Sequence, residues 1–250
     1  MAEASDGEAP RLTVPGEVLV SLSGVVKDYH ALRPLRVQQL DLRAGETVAL
    51  LGVDQASAEV LVNLIAGATV PDAGEVRALG RPTTDITDGD TWLKALDDFG
   101  IISERAVLLE QLTAEQNLAV PLSLDLHDLP HDIRSRVSSL AAEVHLEARE
   151  LASFASSLTP LGRMRLKLAR AVAIGPRVLM AEHPNASLPP SDHPSFAADL
   201  VRVAASRRLA LLVLTADAQF ASAVGRRVLT LNPATGALTT AASGWRRWFS

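Results

Sequence analysis

Apolar residues along this chain fall into two patterns. Short continuous runs occur at Thr47–Leu51, Val178–Ala181 and Leu209–Leu214, as strands buried on both faces of a parallel sheet require. Elsewhere they recur at helical spacing. Val60, Leu61, Leu64 and Ile65 follow the first run, and Arg165–Ala171 reads as an amphipathic helix stopped by Gly175-Pro176. Thr91–Asp98, Thr113–Leu122 and Pro130–Leu146 also read as helices. Ahead of the first run, Val18–Leu22, a segment near Val25-Val26 and Arg36–Leu42 read as short strands. Glu75–Leu79, beyond a turn at Pro71–Gly74, and Gly100–Ser103 are further strands, and Arg227–Thr240 forms a hairpin turning at Asn232–Gly236. There is no internal repeat.

The stretch Thr47–Gly67 organises the rest. A strand ends at Gly52, a loop covers Val53–Ser57, a helix runs from Ala58, and Gly67 sits at its C-terminal end. This is the frame in which a P-loop cradles phosphate at a helix N-terminus. Against G-x-x-x-x-G-K-[ST], however, only Gly52 remains. Ser57 stands for the second glycine, Ala58 for the lysine and Glu59 for the hydroxyl residue that touches magnesium. Ala58 supplies no charge, and Glu59 and Asp54 would meet phosphate with like charge. Two such charges about 4 Å apart repel by roughly 4 kcal/mol at an effective dielectric near 20. With Glu59 in the first helical turn and Asp54 before it, carboxylates are expected to play the electrostatic part of the missing phosphate, each worth about 0.3–1 kcal/mol. The three lysines, Lys27, Lys94 and Lys167, are distant from the loop in sequence. Lys27 reads as a solvated residue at a strand end.

Composition narrows the setting. The 250 residues are 48% hydrophobic, enough for a packed α/β domain with a large core. A net charge of −5 leaves no electrostatic footprint for nucleic acid. The absence of cysteine fits a reducing cytosol. Residues 1–16 read as a flexible tail, acidic over Met1–Glu8 and unlike a signal peptide. No apolar run approaches the roughly 20 residues of a membrane span, so any membrane role runs through a partner. Residues 242–250 form a second tail containing Gly244-Trp245-Arg246-Arg247-Trp248-Phe249, suited to a membrane surface, another subunit or the chain's own core.

Four stretches, in order and at matching spacing, resemble the nucleotide-binding subunit of an ATP-binding cassette (ABC) transporter. They are Asn63–Gly67 with Pro71–Val76; Leu108-Leu109 through Leu112-Thr113 with Asn117–Leu122; Arg165–Ala171 with Pro176; and Val178–Pro184, similar to the Walker B strand. The resemblance implies an α/β fold over residues 17–241. It would have a RecA-like P-loop NTPase core, an N-terminal antiparallel β lobe and an inserted α-helical subdomain at about 104–164. It implies ATP and Mg²⁺ as cofactors, a homodimer or a heterodimer with another ABC subunit, and membrane permease subunits as partners, which places the chain in the cytoplasm, peripheral on the inner face of the membrane.

By the same resemblance, Tyr29 takes the place of the aromatic that stacks on adenine. Gly52, Val53, Asp54, Gln55, Ala56, Ser57, Ala58, Glu59 and Val60 occupy the phosphate loop, and Glu104 the Q-loop position. Glu182 and His183 stand at the catalytic Walker B positions, in place of aspartate and glutamate. Leu158–Gly162 replaces the Leu-Ser-Gly-Gly-Gln signature, Pro189 the D-loop aspartate and Ala216 the switch histidine. These departures imply a catalytically impaired subunit, a pseudo-ATPase that serves a transport complex structurally or as a regulator. The alternatives are an active ATPase with unorthodox site residues, and an adaptor attached to no transporter. A groove lined by Ile101–Leu112 is expected to receive a short helix of the permease, with Leu108 and Leu109 as contacts.

Overall fold

The computed structural model describes residues 16–86 and 88–240; the expectations for the two tails, Gly16 apart, lie outside the described residues. The chain opens with β1 (Val18–Lys27) and β2 (Leu35–Arg43), paired antiparallel. The two short segments read at Val18–Leu22 and Val25-Val26 are one strand, β1, whose pairing to its other neighbour shifts register between Ser23 and Val26. Gly24 takes a φ of 60° inside that bulge. Next come β3 (Thr47–Leu51), α1 (Gln55–Ile65), β4 (Ala73–Ala78) and β5 (Arg81–Pro82). Strands β2-β1-β4-β5, in that order, form an antiparallel four-stranded lobe.

Beyond the lobe lie α2 (Gly89–Leu96) and β6 (Phe99–Ile102), then α3 (Ala114–Ala119), α4 (His131–Glu143), α5 (Ala148–Leu151) and α6 (Pro160–Ala171). The chain then alternates: β7 (Val178–Glu182), α7 (His193–Arg207), β8 (Ala210–Leu214), α8 (Ala218–Val224), β9 (Arg227–Leu231) and β10 (Leu238–Thr240). The second sheet has the order β10-β9-β3-β8-β7-β6, parallel except for the β9–β10 hairpin.

Every residue of β7 and β8 is buried, as their unbroken apolar runs demand. The period-two geometry of a strand divides them between two cores. Val178 and Met180 join Val48 and Leu50 on the face that packs α1 and the antiparallel lobe. Leu179 and Ala181 join Ala49 and Val213 on the face covered by α3, α4, α6, α7 and α8. Helix α1 buries Leu61, Val62, Leu64 and Ile65 and is thereby fixed between lobe and sheet.

Helices α1 and α6 start earlier than their apolar periodicity indicates, because a side chain caps each. The Asp54 carboxylate accepts from the Ser57 amide at 2.7 Å, so α1 begins at Gln55 rather than Ala58. The Thr159 hydroxyl accepts from the Gly162 amide at 3.1 Å, with Pro160 in the first turn, so α6 begins well before Arg165.

Gly52 is required by packing as well as by its φ of 84°. A Cβ there would lie 2.5 Å from the Leu231 carbonyl oxygen on β9. This explains why the one retained P-loop glycine persists without its companions. Gly52→Ala should therefore lower stability in denaturant or thermal unfolding by more than about 1 kcal/mol, with no ligand present.

Candidate functional site

Parallel sheets place their functional groups beyond the carboxyl ends of the strands. Here β3 runs into Gly52–Asp54, β6 into the turn at Ser103–Ala106, and β7 ends on Glu182. The phosphate-loop positions take the form of a short connection and a capped helix. Val53 is buried, Asp54 caps α1, and Gln55 and Ala56 are exposed in its first turn. Hydrogen bonds from the Ser57 backbone and hydroxyl hold the Asp54 carboxyl below its ordinary pKa, with a smaller contribution from His183. Ser57 Oγ also shares a hydrogen bond with the Tyr29 hydroxyl at 2.9 Å, so the half-buried Tyr29 is tied directly to the start of α1. Ala58 is wholly buried, and Val60 packs at the edge of the core between lobe and sheet.

Arg105 is the residue that sequence reasoning missed. Its Nη2 donates to Glu182 Oε1 at 2.7 Å, and its Nη1 lies 3.1 Å from Glu59 Oε1 and 3.3 Å from Asn63 Oδ1. One guanidinium thus joins the turn after β6, helix α1 and the end of β7. The Glu182 side chain has 0% exposure. Burial pushes its carboxyl above the ordinary glutamate pKa, opposed chiefly by the hydrogen bond and charge of Arg105. Glu182 Oε2 has no hydrogen-bond partner among the described residues, and neither has His183 Nε2. His183 has a left-handed φ of 43°, a conformation that histidine adopts more readily than most non-glycine residues, and its amide donates to the Leu214 carbonyl at 2.7 Å.

Two expectations about charge therefore change. Glu59 is not in the first turn of α1, which contains no acidic residue; it is the fifth helical residue and turns toward Arg105. Asp54 alone takes the N-terminal electrostatic role. Lys27 pairs with Asp72 at 2.7 Å, away from the cluster, and Glu104 is exposed on the same turn as Arg105. Near the altered switch and D-loop positions, Thr215 Oγ1 donates to Asn185 Oδ1 at 3.0 Å and Asn185 Nδ2 donates to Asp217 at 3.1 Å. Asp217 in turn caps α8.

The residues present do not fit a magnesium–phosphate group. The Glu59 and Glu182 carboxylates already share a cation, the lysine position is a buried alanine, and the Ser57 amide is taken by Asp54. Among the described residues, no group of three or more His, Asp or Glu is placed to hold a metal ion.

Next to the cluster lies a groove of about 460 Å³ lined by Phe99, Ile101, Ala106, Val107, Leu109 and Val120 on one part and by Lys167, Arg170 and Ile174 on another. Leu109 is 46% and Val107 64% exposed, whereas Leu108 is 2% exposed and belongs to the core. Of the two leucines expected to contact a partner, Leu108 is a core residue and Leu109 is exposed.

Removing Arg105 leaves the buried Glu182 carboxyl without its counter-charge, raising its pKa further. An acid whose folded-state pKa exceeds its unfolded value contributes stability that is full below the unfolded value and is lost as pH rises through the folded one. Arg105→Gln should therefore be destabilising, with a deficit that widens as pH rises above the ordinary glutamate range, measured by melting both proteins at acidic and neutral pH.

Comparison with known proteins bears on the whole arrangement. A family model described as ABC transporter matches residues 35–186. The sulfate/thiosulfate import ATP-binding protein CysA of Thermosynechococcus vestitus is 26% identical over 217 residues, covering 85% of this chain. The chain spans 61% of the length of that relative. The lipoprotein-releasing system ATP-binding protein LolD of Rhodopseudomonas palustris is 29% identical over 190 residues, covering 76% of this chain and 81% of the relative. Among solved structures, the dimeric ABC transporter cassette MJ0796 superposes with a TM-score of 0.74 at 23% identity, covering 89% of this chain and 98% of that one. For cbiO1 of Clostridium perfringens the TM-score is 0.76 at 18% identity, with 89% and 87% covered. These structures share the RecA-like core described above, and with the family match over 35–186 they show that the chain belongs to the ABC transporter family, in its ATP-binding domain.

Proposed function

We propose that this chain serves a membrane transport complex as a pseudo-ATPase, a cassette subunit that docks on permease subunits without hydrolysing ATP above background. The observation that carries this reading is the Arg105 guanidinium between Glu59 and Glu182. The groups that would handle metal and γ-phosphate are occupied with one another. Nucleotide is the family's ligand, and a neighbouring structure, MJ0796, is described in a post-hydrolysis state with ADP and phosphate. In this chain any residual affinity rests on Tyr29, since Arg105 at the phosphate end is already paired with Glu59 and Glu182.

The apolar groove with its Lys167 and Arg170 rim is the docking surface in this reading. It suits a short amphipathic helix bearing apolar residues on one face and an acidic or polar end. No helix among the described residues is long and apolar enough to cross a membrane; attachment to the inner face runs through the permease. The chain pairs with a second copy or with another cassette subunit; its structural neighbour MJ0796 is described as dimeric and cbiO1 as part of a cbiONQ complex.

The purified chain should release no phosphate from ATP above a no-protein control, and calorimetry with MgATP should show no saturable binding at micromolar nucleotide. Turnover, or micromolar affinity, would overturn the pseudo-ATPase reading. Leu109→Glu should abolish co-purification with the permease while melting within about 0.5 kcal/mol of the parent, as a surface change does. Leu108→Glu should instead unfold the chain, because it places a charge in the core.

A further inference from the structure

The turn that carries Arg105 also builds the docking groove. Ala106 and Val107 line it, Leu109 follows, and Ile101 precedes the turn on β6. The segment is held at separate points by different residues. At its start, Lys167 Nζ donates to the Ser103 carbonyl at 3.0 Å. In the middle, Arg105 ties it to α1 and β7. At its far end, the wholly buried Asn117 accepts from the Leu109 amide at 2.8 Å and donates to the Leu109 carbonyl at 2.9 Å. All these anchors are side chains of the protein itself.

We propose that Arg105 is a built-in counter-ion that sets the docking groove permanently, in place of any bound ligand. Two carboxylates from distant parts of the chain would repel each other and the end of β7 if left alone. The guanidinium pairs with both, offsetting one of the two charges, and in doing so fixes the backbone of its own turn. The groove wall formed by Ala106 and Val107 is therefore ready-made in the free chain. The partner meets one conformation, with no ordering step coupled to nucleotide. This deepens the docking role proposed above and rests on it for the identity of the partner. Its test reads the chain alone, so a failure to bind permease and a failure of the counter-ion are separate results.

Hydrogen exchange at single amides provides that test, because the relevant N–H groups have different anchors. The Ala106 and Val107 amides donate to Ser103 and Arg105 carbonyls within the turn, while the Leu109 amide donates to Asn117. In Arg105→Gln, the Ala106 and Val107 amides should exchange about tenfold faster or more, with Leu109 changing by less than about twofold. Adding MgATP to the parent chain should leave all three rates unchanged. Glu59→Gln, which cuts only the half-exposed arm and leaves Glu182 paired, should give an intermediate acceleration at the same two amides. It decides the matter if Arg105→Gln does not fold. Unchanged exchange at Ala106 and Val107 in a folded variant, or slowing of these amides in the parent on addition of MgATP, would overturn the proposal.

Discussion

A carboxylate with no exposed surface cannot stand without a counter-charge, and the arrangement around Glu182 follows from that constraint. Burying an unpaired charge costs several kcal/mol even after relaxation. Glu182 stands at the end of β7, a strand buried along its whole length, and its own side chain has no exposed surface. Arg105 meets the need from the turn that directly follows the adjacent strand β6. Its second contact, to Glu59, carries the constraint into α1 and so to the antiparallel lobe packed against that helix. The pair with Glu59 is half-exposed and adds little alone. Its importance is geometric, because it fixes where the guanidinium points.

The same substitution of internal for external partners recurs around the site. Helix N-termini that leave amides free are sites for anions. At α1 the Asp54 carboxylate takes the Ser57 amide, and at α6 the Thr159 hydroxyl takes that of Gly162. The Tyr29 hydroxyl is joined to Ser57. At the ends of β7 and β8, Asn185, Thr215 and Asp217 form a continuous hydrogen-bonded chain. Polar side chains around this cluster are thus paired with one another, while Glu182 Oε2 and His183 Nε2 are among the buried side-chain atoms without a hydrogen-bond partner in the described residues. Exposed apolar side chains lie beside this cluster at Val107 and Leu109.

Most of the fold was legible because its strands and helices carry strong periodic signals. The unbroken apolar runs marked β3, β7 and β8 as interior parallel strands, and the order of motifs supplied the family. Boundaries were less legible where caps decide them, since Asp54 and Thr159 extend their helices through residues with no apolar rhythm. The altered P-loop positions could be read off one by one, but the contact that unites them could not. Arg105 is 77 residues from Glu182 in sequence and belongs to no motif. The signal that was available was chemical: two carboxylates brought into a region meant for phosphate need a cation, and an arginine adjoins the Q-loop position. Leu108 and Leu109 were indistinguishable as neighbouring leucines, because only the Asn117 clamp decides which of them turns outward.

The central claim is that Arg105 and Glu182 act as a unit. A double-mutant cycle of Arg105→Gln, Glu182→Gln and both together, followed by denaturant unfolding, measures that directly. The account predicts a favourable coupling energy of about 1.5–3 kcal/mol, as for hydrogen bonds between charged groups. A coupling within about 0.5 kcal/mol of zero would contradict it.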